Sequence, residues 1–141
     1  MMNRIDLEHL AEKIALSMYP GDNIFLVGDL GVGKSVFARA VLRTLGVTGN
    51  IPSPSFIVDA VYYTGNKEIH HIDLYRLEGA HRELHSLGIF EALDSSSLAV
   101  VEWADRLEEE ILDNGVLINI GFTDDPNLRE VVVDDRRLAG N

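Results

Sequence analysis

The sequence predicts an α/β domain in which a mixed, mainly parallel central sheet is flanked by helices. An uninterrupted apolar run at residues 24–27 indicates a buried strand, and a glycine-rich loop and a helical pattern follow it up to Gly46. A second apolar run, at residues 98–101, is typical of a parallel strand that is covered on both faces. Two pairs of β-rich segments meet at turns, which adds antiparallel edges.

Each element follows from a local pattern. In chain order we expect an amphipathic helix at residues 6–18, a strand at 24–27, a helix that stops at Gly46, a turn-rich connection at 46–54 and hairpin strands at 56–64 and 68–75. The second half is expected to contain short helical turns at 83–93, a strand at 98–101, a helix at 105–112 and strands at 116–122 and 130–134. Gly65-Asn66 and an Asp-Asp-Pro-Asn sequence supply the turns between paired strands.

Composition limits the classes of protein and site. The chain of 141 residues is expected to form one domain, residues 1–141, with a loose tail at 136–141. Hydrophobic residues make up 46% of it, and the lack of cysteine excludes disulfides, thiolate zinc sites and cysteine nucleophiles. Because the first turns are charged and no apolar run reaches membrane-spanning length, we expect a cytoplasmic protein without membrane contact.

The net charge is −11, from 12 basic and 23 acidic residues. Such a surface repels nucleic-acid backbones, so direct, sequence-specific binding of nucleic acid is not expected. It also repels a free nucleotide at long range, so a nucleotide must be held by a local loop and a divalent cation. The acidity either supplies solubility or complements a basic protein partner.

Residues 28–35, Gly-Asp-Leu-Gly-Val-Gly-Lys-Ser, fit the phosphate-binding pattern G-x-x-x-x-G-K-[ST]. Gly31 and Gly33 let the backbone curl with its N–H groups inward, at the positive end of the following helix. Lys34 adds a point charge for the outer phosphates, and the Ser35 hydroxyl can ligate Mg²⁺. Because strand, loop and helix come in the required order, we predict a P-loop NTPase-like domain that binds a nucleotide and Mg²⁺.

Two acidic residues are candidates for the rest of the site. Glu102 ends the apolar run at residues 98–101, where a carboxylate can face the metal, and its alternative is an ordinary solvent-facing glutamate. Strand alternation places Asp73 opposite its apolar neighbours, so it can face the cleft and orient a water against the γ-phosphate. The alternative for Asp73 is a structural ion pair with Arg76.

The neighbours of these acids are predicted to be mainly structural. Trp103 is expected to pack rather than to take part in chemistry. His70 and His71 are adjacent on a strand and point to opposite faces, which argues against a metal pair. Residues 53–56, Ser-Pro-Ser-Phe, suit either a segment that senses the γ-phosphate or a plain turn.

Five short motifs follow one another between residues 24 and 106. They are the loop at 28–35, Ser-Pro-Ser-Phe at 53–56, His-Ile-Asp-Leu-Tyr-Arg-Leu at 71–77, Glu83-Leu84 with Leu87-Gly88, and Glu102-Trp103. Together they resemble the TsaE (YjeE) family, small bacterial ATPases needed for N6-threonylcarbamoyladenosine modification of tRNA. The Asp-Leu-Tyr-Arg and Glu-Trp elements in this order are far more specific than the loop alone.

The resemblance implies the residues of an ATP site. Those that would bind the phosphates are Gly31, Val32, Gly33, Lys34, Ser35 and Val36. Ser35 and Glu102 would hold Mg²⁺, while Lys34 and Asp73 would act on the γ-phosphate. Arg129, just before the last strand, is similar to an arginine that the family places near the nucleotide.

The resemblance also implies partners, namely TsaD, which performs the threonylcarbamoyl transfer, and TsaB. The family drives their cycle by ATP hydrolysis. The chain departs from the family pattern at Val36 and Ser55, which replace threonines, and at Ala104, which replaces a frequent proline. Ser55 keeps its oxygen and Val36 loses a hydroxyl, so nucleotide affinity is the property these changes would alter.

Two functions of other classes are the alternatives. A small-molecule phosphotransferase needs an acceptor pocket and usually an arginine-bearing lid, for which the gap between Arg76 and Glu102 leaves little room. A nucleotide-binding regulatory switch of the GTPase type needs a guanine-reading N-K-x-D sequence. Residues 66–69, Asn-Lys-Glu-Ile, begin this sequence but end in isoleucine.

Overall fold

A computed structural model describes residues 1–51, 59–75, 93 and 96–137 of the chain. Its elements are α1 (Arg4–Leu16), β1 (Asn23–Val27), α2 (Lys34–Thr44), β2 (Asp59–Thr64), β3 (Lys67–Asp73), β4 (Leu98–Glu102), a 3-10 turn (Ala104–Arg106), α3 (Glu109–Leu112), β5 (Gly115–Phe122) and β6 (Arg129–Asp135). None of the helices in these ranges is long and apolar enough to cross a membrane.

The six strands form one sheet in the order β2-β3-β4-β1-β5-β6. The four inner strands, β3, β4, β1 and β5, are parallel to one another. The outer strands β2 and β6 each pair antiparallel with the strand beside them. The predicted fold class, a mixed and mainly parallel sheet with helices, is therefore confirmed.

Strands β1 and β4 are covered on both faces, as their uninterrupted apolar runs predict. All five residues of β4 are buried. On one face, α1 and α2 pack over a core that includes Ile24, Leu26 and Val100. On the other face, the alternate side chains of β1 and β4 join a second core with Leu107 and Leu112. This packing holds the carboxyl ends of the parallel strands in one fixed edge.

Helix α1 begins and ends two residues earlier than predicted, at Arg4–Leu16 instead of residues 6–18. The reason is a capping box before it. The Asn3 side chain accepts from the Asp6 N–H at 2.8 Å, and the Asp6 carboxylate accepts from the Asn3 N–H at 3.1 Å. These bonds satisfy N–H groups that the first turn of a helix leaves free.

The hairpin predicted at Gly65-Asn66 is present, with β2 and β3 paired from Thr64 and Lys67 onward. Strand β3 ends at Asp73, two residues before the predicted end of the segment. Residues 52–58, 76–92 and 94–95 lie outside the described residues. The expectations for Ser53, Ser55, Arg76 and the turns at 83–92 therefore stay predictions.

The continuous helix predicted at residues 105–112 is wrong. A 3-10 turn at Ala104–Arg106 is followed by an extended backbone at Leu107 and Glu108, and only Glu109–Leu112 is α-helical. The extended link turns the Leu107 side chain into the second core, where it is 6% exposed. Burial of this leucine thus overrides the local preference for one helix.

The first two residues of the tail expected at 136–141 are held by ion pairs. Arg136 donates to Glu109 and Asp113, and Arg137 donates to Asp22. These contacts link the two arginines to the domain, and the expectation of a loose tail stays a prediction. Residues 138–141 lie outside the described part of the chain.

Candidate nucleotide site

The glycine-rich loop lies where three parallel strands end. It leaves the carboxyl end of β1, and β3 and β4 end at the same edge with Asp73 and Glu102. These two acids are partners in the register of β3 and β4, so their backbones lie side by side. Open α/β sheets bind ligands outside the carboxyl ends of their strands, which is the edge where this loop lies.

The backbone of the loop has the curl that the glycines predict. Gly31 and Gly33 have φ angles of 79° and 126°, conformations that residues with side chains rarely adopt. Helix α2 begins directly afterwards, and within the described structure its first turn has neither a side-chain cap nor an acidic residue. Unlike α1, this helix start keeps its free N–H groups for an anion.

Lys34 is buried at the start of α2 and is 4% exposed. Its ammonium group donates to the carbonyl oxygens of Gly28 and, at 2.9 Å, of Asp29. Its Nζ also lies 4.0 Å from the ring centroid of Trp103. Burial lowers the pKa of Lys34, while the nearby carboxylate of Glu102 opposes this shift. The ammonium group of Lys34 thus lies inside the loop, next to the uncapped first turn of α2.

Ser35, Glu102 and His71 form a chain of hydrogen bonds. The Ser35 hydroxyl donates to Oε1 of Glu102 at 2.9 Å. The other oxygen, Oε2, lies 2.6 Å from Nε2 of His71. Glu102 is 2% exposed, so the sequence-based alternative of a solvent-facing glutamate is wrong. These hydrogen bonds link α2, β4 and β3 at the edge where the loop lies.

The Ser35 and Glu102 oxygens fit a magnesium ion. Mg²⁺ prefers oxygen ligands at about 2.1 Å in octahedral geometry, so neighbouring ligands lie about 3 Å apart. The Ser35–Glu102 distance of 2.9 Å matches that spacing. The described residues contain no cluster of three or more histidine, aspartate or glutamate side chains suited to a metal. The remaining ligands would be waters and phosphate oxygens, as is usual for Mg²⁺.

Asp73 faces the same space as the loop. Its Oδ1 accepts from the Tyr75 N–H at 2.9 Å. Burial raises the pKa of Asp73, and the Tyr75 N–H opposes the rise. The alternative ion pair with Arg76 involves a residue outside the described ranges, so the role of Asp73 stays a prediction.

A cavity of about 320 Å³ lies between the loop and the two acids. Its walls are Leu30, Gly31, Gly33, Lys34, Ser35, Val36, Asp73, Tyr75, Glu102 and Trp103. We call it the first cavity. Among these wall residues, Lys34 is the one cation and stands against the carboxylates of Asp73 and Glu102. A polyphosphate placed here needs an additional positive ion to balance the charge.

A second cavity of about 230 Å³ lies on the other side of the loop. Its walls are Asn3, Arg4, Leu7, Gly31, Val32, Gly33, Val36, Pro126, Asn127 and Arg129. Arg129 donates from Nε to the Val32 carbonyl at 2.9 Å, and its guanidinium carbon lies 4.8 Å from the Phe122 ring centroid. Arg129 therefore touches the loop from the side opposite to Glu102.

Two residues beside the acids, Trp103 and His71, make contacts that the sequence alone does not predict. Trp103 was expected only to pack, yet it is a wall of the first cavity and covers Lys34. It has a φ of 59° and is the one non-glycine residue with a positive φ among those described. His71 was expected to be structural, yet it contacts Glu102. The signals in the sequence were their nearness to the two acids and their places in the motifs at residues 71–77 and 102–103.

The start of the guanine-reading pattern, Asn66-Lys67, lies far from the loop. Asn66 precedes β3 and Lys67 is its first residue, so they sit at the amino ends of the parallel strands. They line a separate cavity with Met18, Pro20 and Leu98. A base bound next to the loop cannot be read from there, which argues against a GTPase-type switch.

Comparisons with known proteins agree on one family. The model of the family described as "Threonylcarbamoyl adenosine biosynthesis protein TsaE" matches residues 1–131. The chain is similar to the tRNA threonylcarbamoyladenosine biosynthesis protein TsaE of Haemophilus influenzae, with 33% identity over 109 residues, 77% of this chain and 68% of that protein. It is also similar to the protein of that name from Bacillus subtilis, with 34% identity over 110 residues, 78% and 68% of the two chains.

A solved structure supports the same grouping. The crystal structure of Bacillus subtilis YdiB superposes with a TM-score of 0.77 and 28% sequence identity. The alignment covers 96% of this chain and 82% of that one. The chain therefore belongs to the TsaE family of threonylcarbamoyladenosine biosynthesis proteins, whose members the sequence motifs resemble.

Proposed function

We propose that this chain binds ATP with Mg²⁺ and hydrolyses it as a component of the machinery that makes N6-threonylcarbamoyladenosine in tRNA. The observation that carries the proposal is the Ser35–Glu102 oxygen pair, 2.9 Å apart, beside an uncapped helix start. One side of this arrangement suits a divalent cation and the other suits an anion. Membership of the TsaE family supports the pathway.

The two cavities suit the two ends of the nucleotide. The first cavity has the ammonium and the carboxylates, so we assign the phosphates and Mg²⁺ to it. The second cavity has Arg129 and the apolar side chain of Leu7, so we assign the nucleoside to it. Gly31, Gly33 and Val36 belong to both walls, so one ligand can run from one cavity to the other across the start of α2.

The chemistry asked of the protein is mainly positioning and charge neutralisation. Lys34 would exchange the carbonyls of its own loop for phosphate oxygens, and the free N–H groups of α2 would bind the same oxygens. Asp73 would accept a hydrogen bond from the attacking water and hold it in line with the γ-phosphate. Mg²⁺, when bound at Ser35 and Glu102, supplies neutralising charge. Val36 has no hydroxyl group, so it would not make the phosphate contact that a threonine could make at this position.

The proposal includes TsaD and TsaB as partners. The chain is acidic, with a net charge of −11, and this suits partner faces of opposite sign better than a nucleic-acid backbone. The protein would therefore act on tRNA through TsaD, which performs the transfer.

The test compares ATP hydrolysis by the wild-type chain and Lys34→Ala, alone and with TsaD and TsaB. We expect Lys34→Ala to lose at least about 100-fold in rate, because one preorganised donor to the reacting phosphate is removed. Lys13→Ala, at an exposed position on α1, is the matched control and should keep the wild-type rate. A folded Lys34→Ala protein with wild-type turnover would refute the site. Absence of co-purification with TsaD and TsaB in any nucleotide state would refute the partnership alone.

A further inference from the structure

We propose that His71 is a positioning residue that fixes the Glu102 carboxylate for the metal ion. The inference rests on the proposed function, because it concerns how the same site holds Mg²⁺. It assigns a role to a buried histidine that the mechanism above does not use.

The sheet brings His71 to Glu102. Strands β3 and β4 are parallel, with His71 level with Val100 and Asp73 level with Glu102. His71 and Asp73 are two residues apart on one strand, so they share a face of the sheet. The His71 ring therefore lies beside the Glu102 side chain, with Nε2 2.6 Å from Oε2. Both side chains are nearly inaccessible, at 1% and 3% exposure.

The direction of this hydrogen bond follows from the carboxylate. An ionised carboxylate can only accept, so Nε2 carries the hydrogen and donates it to Oε2. The second oxygen, Oε1, is left to face the Ser35 hydroxyl. In the described part of the chain, Nδ1 of His71 is buried without a hydrogen-bond partner. The ring therefore directs its one hydrogen bond there to Glu102.

The division of the two oxygens has a consequence for the metal. Oε2 accepts a hydrogen bond from His71. Oε1 faces Ser35, whose hydroxyl would bind the same metal ion. Without the histidine, the carboxylate is free to rotate about its terminal bond and to turn away from Ser35. Residues that orient a ligand in this way typically contribute about 10- to 100-fold in metal affinity.

A purely structural role for His71 makes a different prediction. Loss of a buried hydrogen bond lowers the stability of the whole domain, and it does not separate metal-bound from metal-free nucleotide. If His71 is a positioning residue, its substitution lowers only the gain in nucleotide affinity that Mg²⁺ provides. The affinity of metal-free nucleotide depends on the loop and on Lys34, neither of which contacts His71 through a described hydrogen bond.

The experiment measures the dissociation constant of a non-hydrolysable ATP analogue by calorimetry, with Mg²⁺ and with EDTA. His71→Gln places an amide N–H near the position of Nε2, whereas the amide of His71→Asn is one methylene too short to place its N–H there. We expect His71→Asn to lose about 10- to 100-fold of the Mg²⁺-dependent gain, and His71→Gln to keep most of it. With EDTA, both variants should bind as the wild type does. His70→Gln, on the opposite face of β3, is the control and should keep the full gain.

Each outcome decides between the two ideas. A folded His71→Asn protein with the wild-type Mg²⁺-dependent gain overturns the positioning role and leaves the proposed function intact. A wild-type protein without any Mg²⁺-dependent gain overturns the proposed metal site itself. Should His71→Asn fail to fold because its amide is buried unpaired, His71→Leu removes the same donor without that cost, and the same loss is expected.

Discussion

The indole ring of Trp103 lies over the ammonium group of Lys34, with Nζ 4.0 Å from the ring centroid. The ring is also in contact with Tyr75, at a centroid distance of 4.9 Å. A cation placed over an indole face is stabilised by about 0.5–2 kcal/mol, depending on its hydration. Lys34 thus contacts the indole and two carbonyls of its own loop. Under the proposed function, a nucleotide would compete with these contacts.

Binding of nucleotide should be visible in the fluorescence of Trp103. It is the single tryptophan of the chain, so its emission reports on this site alone. When Lys34 turns toward phosphate oxygens, the ring loses its cation, and the emission should change along a saturating curve. The midpoint should equal the dissociation constant from calorimetry. Trp103→Phe should abolish the signal, and an emission that stays constant at saturating nucleotide would contradict the exchange.

Substitution of Glu102 should separate metal binding from nucleotide binding. Glu102→Ala removes the carboxylate that faces Ser35, so the affinity for Mg²⁺-ATP should fall by at least about tenfold, which is about 1.4 kcal/mol. The affinity for metal-free ATP should change less, because the loop N–H groups and Lys34 are intact. Calorimetry with Mg²⁺ and with EDTA measures both values. Glu110→Ala, at an exposed position of α3, is the control, and an equal loss for both ligands would rule out the metal role.

Substitution of Arg129 should lower the affinity for Mg²⁺-bound and metal-free nucleotide by the same factor. The guanidinium donates to the carbonyls of Val32, Pro126 and Leu128, at distances of 2.9, 2.9 and 3.0 Å. Arg129→Lys keeps the charge but cannot hold the loop and the Pro126 turn together. We expect about a tenfold loss of affinity, similar with and without Mg²⁺. Arg136→Lys, just after the other end of β6, is the control and should keep the wild-type affinity for nucleotide. Wild-type affinity of Arg129→Lys would contradict a role for the second cavity.

The stability of the hairpin should depend on pH through His70. Its Nδ1 lies 2.8 Å from an Asp59 oxygen, and its Nε2 lies 3.0 Å from Glu68. The hydrogen bond with Asp59 raises the pKa of His70, and burial opposes the rise. A raised pKa means that this contribution is fully present below the ordinary value of 6.5 and is lost as pH increases through the folded-state pKa.

The corresponding measurement is urea unfolding of His70→Gln across this range. At pH 5.5 the variant should be less stable than the wild type by about 1–2 kcal/mol, and at pH 9 the difference should be smaller. His9→Gln, at an exposed position of α1, controls for the loss of one histidine and should unfold like the wild type. A difference that grows with increasing pH would contradict the ion pairs.

The local order of strand, loop and helix was predictable because it depends on short-range patterns. Apolar runs predicted β1 and β4, the glycine-rich pattern at residues 28–35 predicted the loop, and the Gly65-Asn66 turn predicted the hairpin. The break at Leu107 was not predictable, because it depends on a core that residues from other strands complete.

The contacts between residues of the candidate site were harder to predict than the residues themselves. Strand alternation separated His70 from His71, but only the register of β3 against β4 shows that His71 reaches Glu102. The left-handed backbone of Trp103 likewise has no local signal, since tryptophan rarely adopts it. The contact with Lys34 joins two motifs that are far apart in the chain.

The place of β1 in the sheet makes the candidate nucleotide site depend on strands that come late in the chain. β1 pairs with β4 and β5, so Asn23 lies level with Ala99 and Gly115. Contacts so distant in sequence form slowly in folding and, during synthesis, wait for the later strands to leave the ribosome. A nascent chain that ends before β4 carries the loop without its carboxylate. Under the proposed function, tight binding of Mg²⁺-nucleotide would require β4 to be in place, and the ligand would stabilise the chains that contain it.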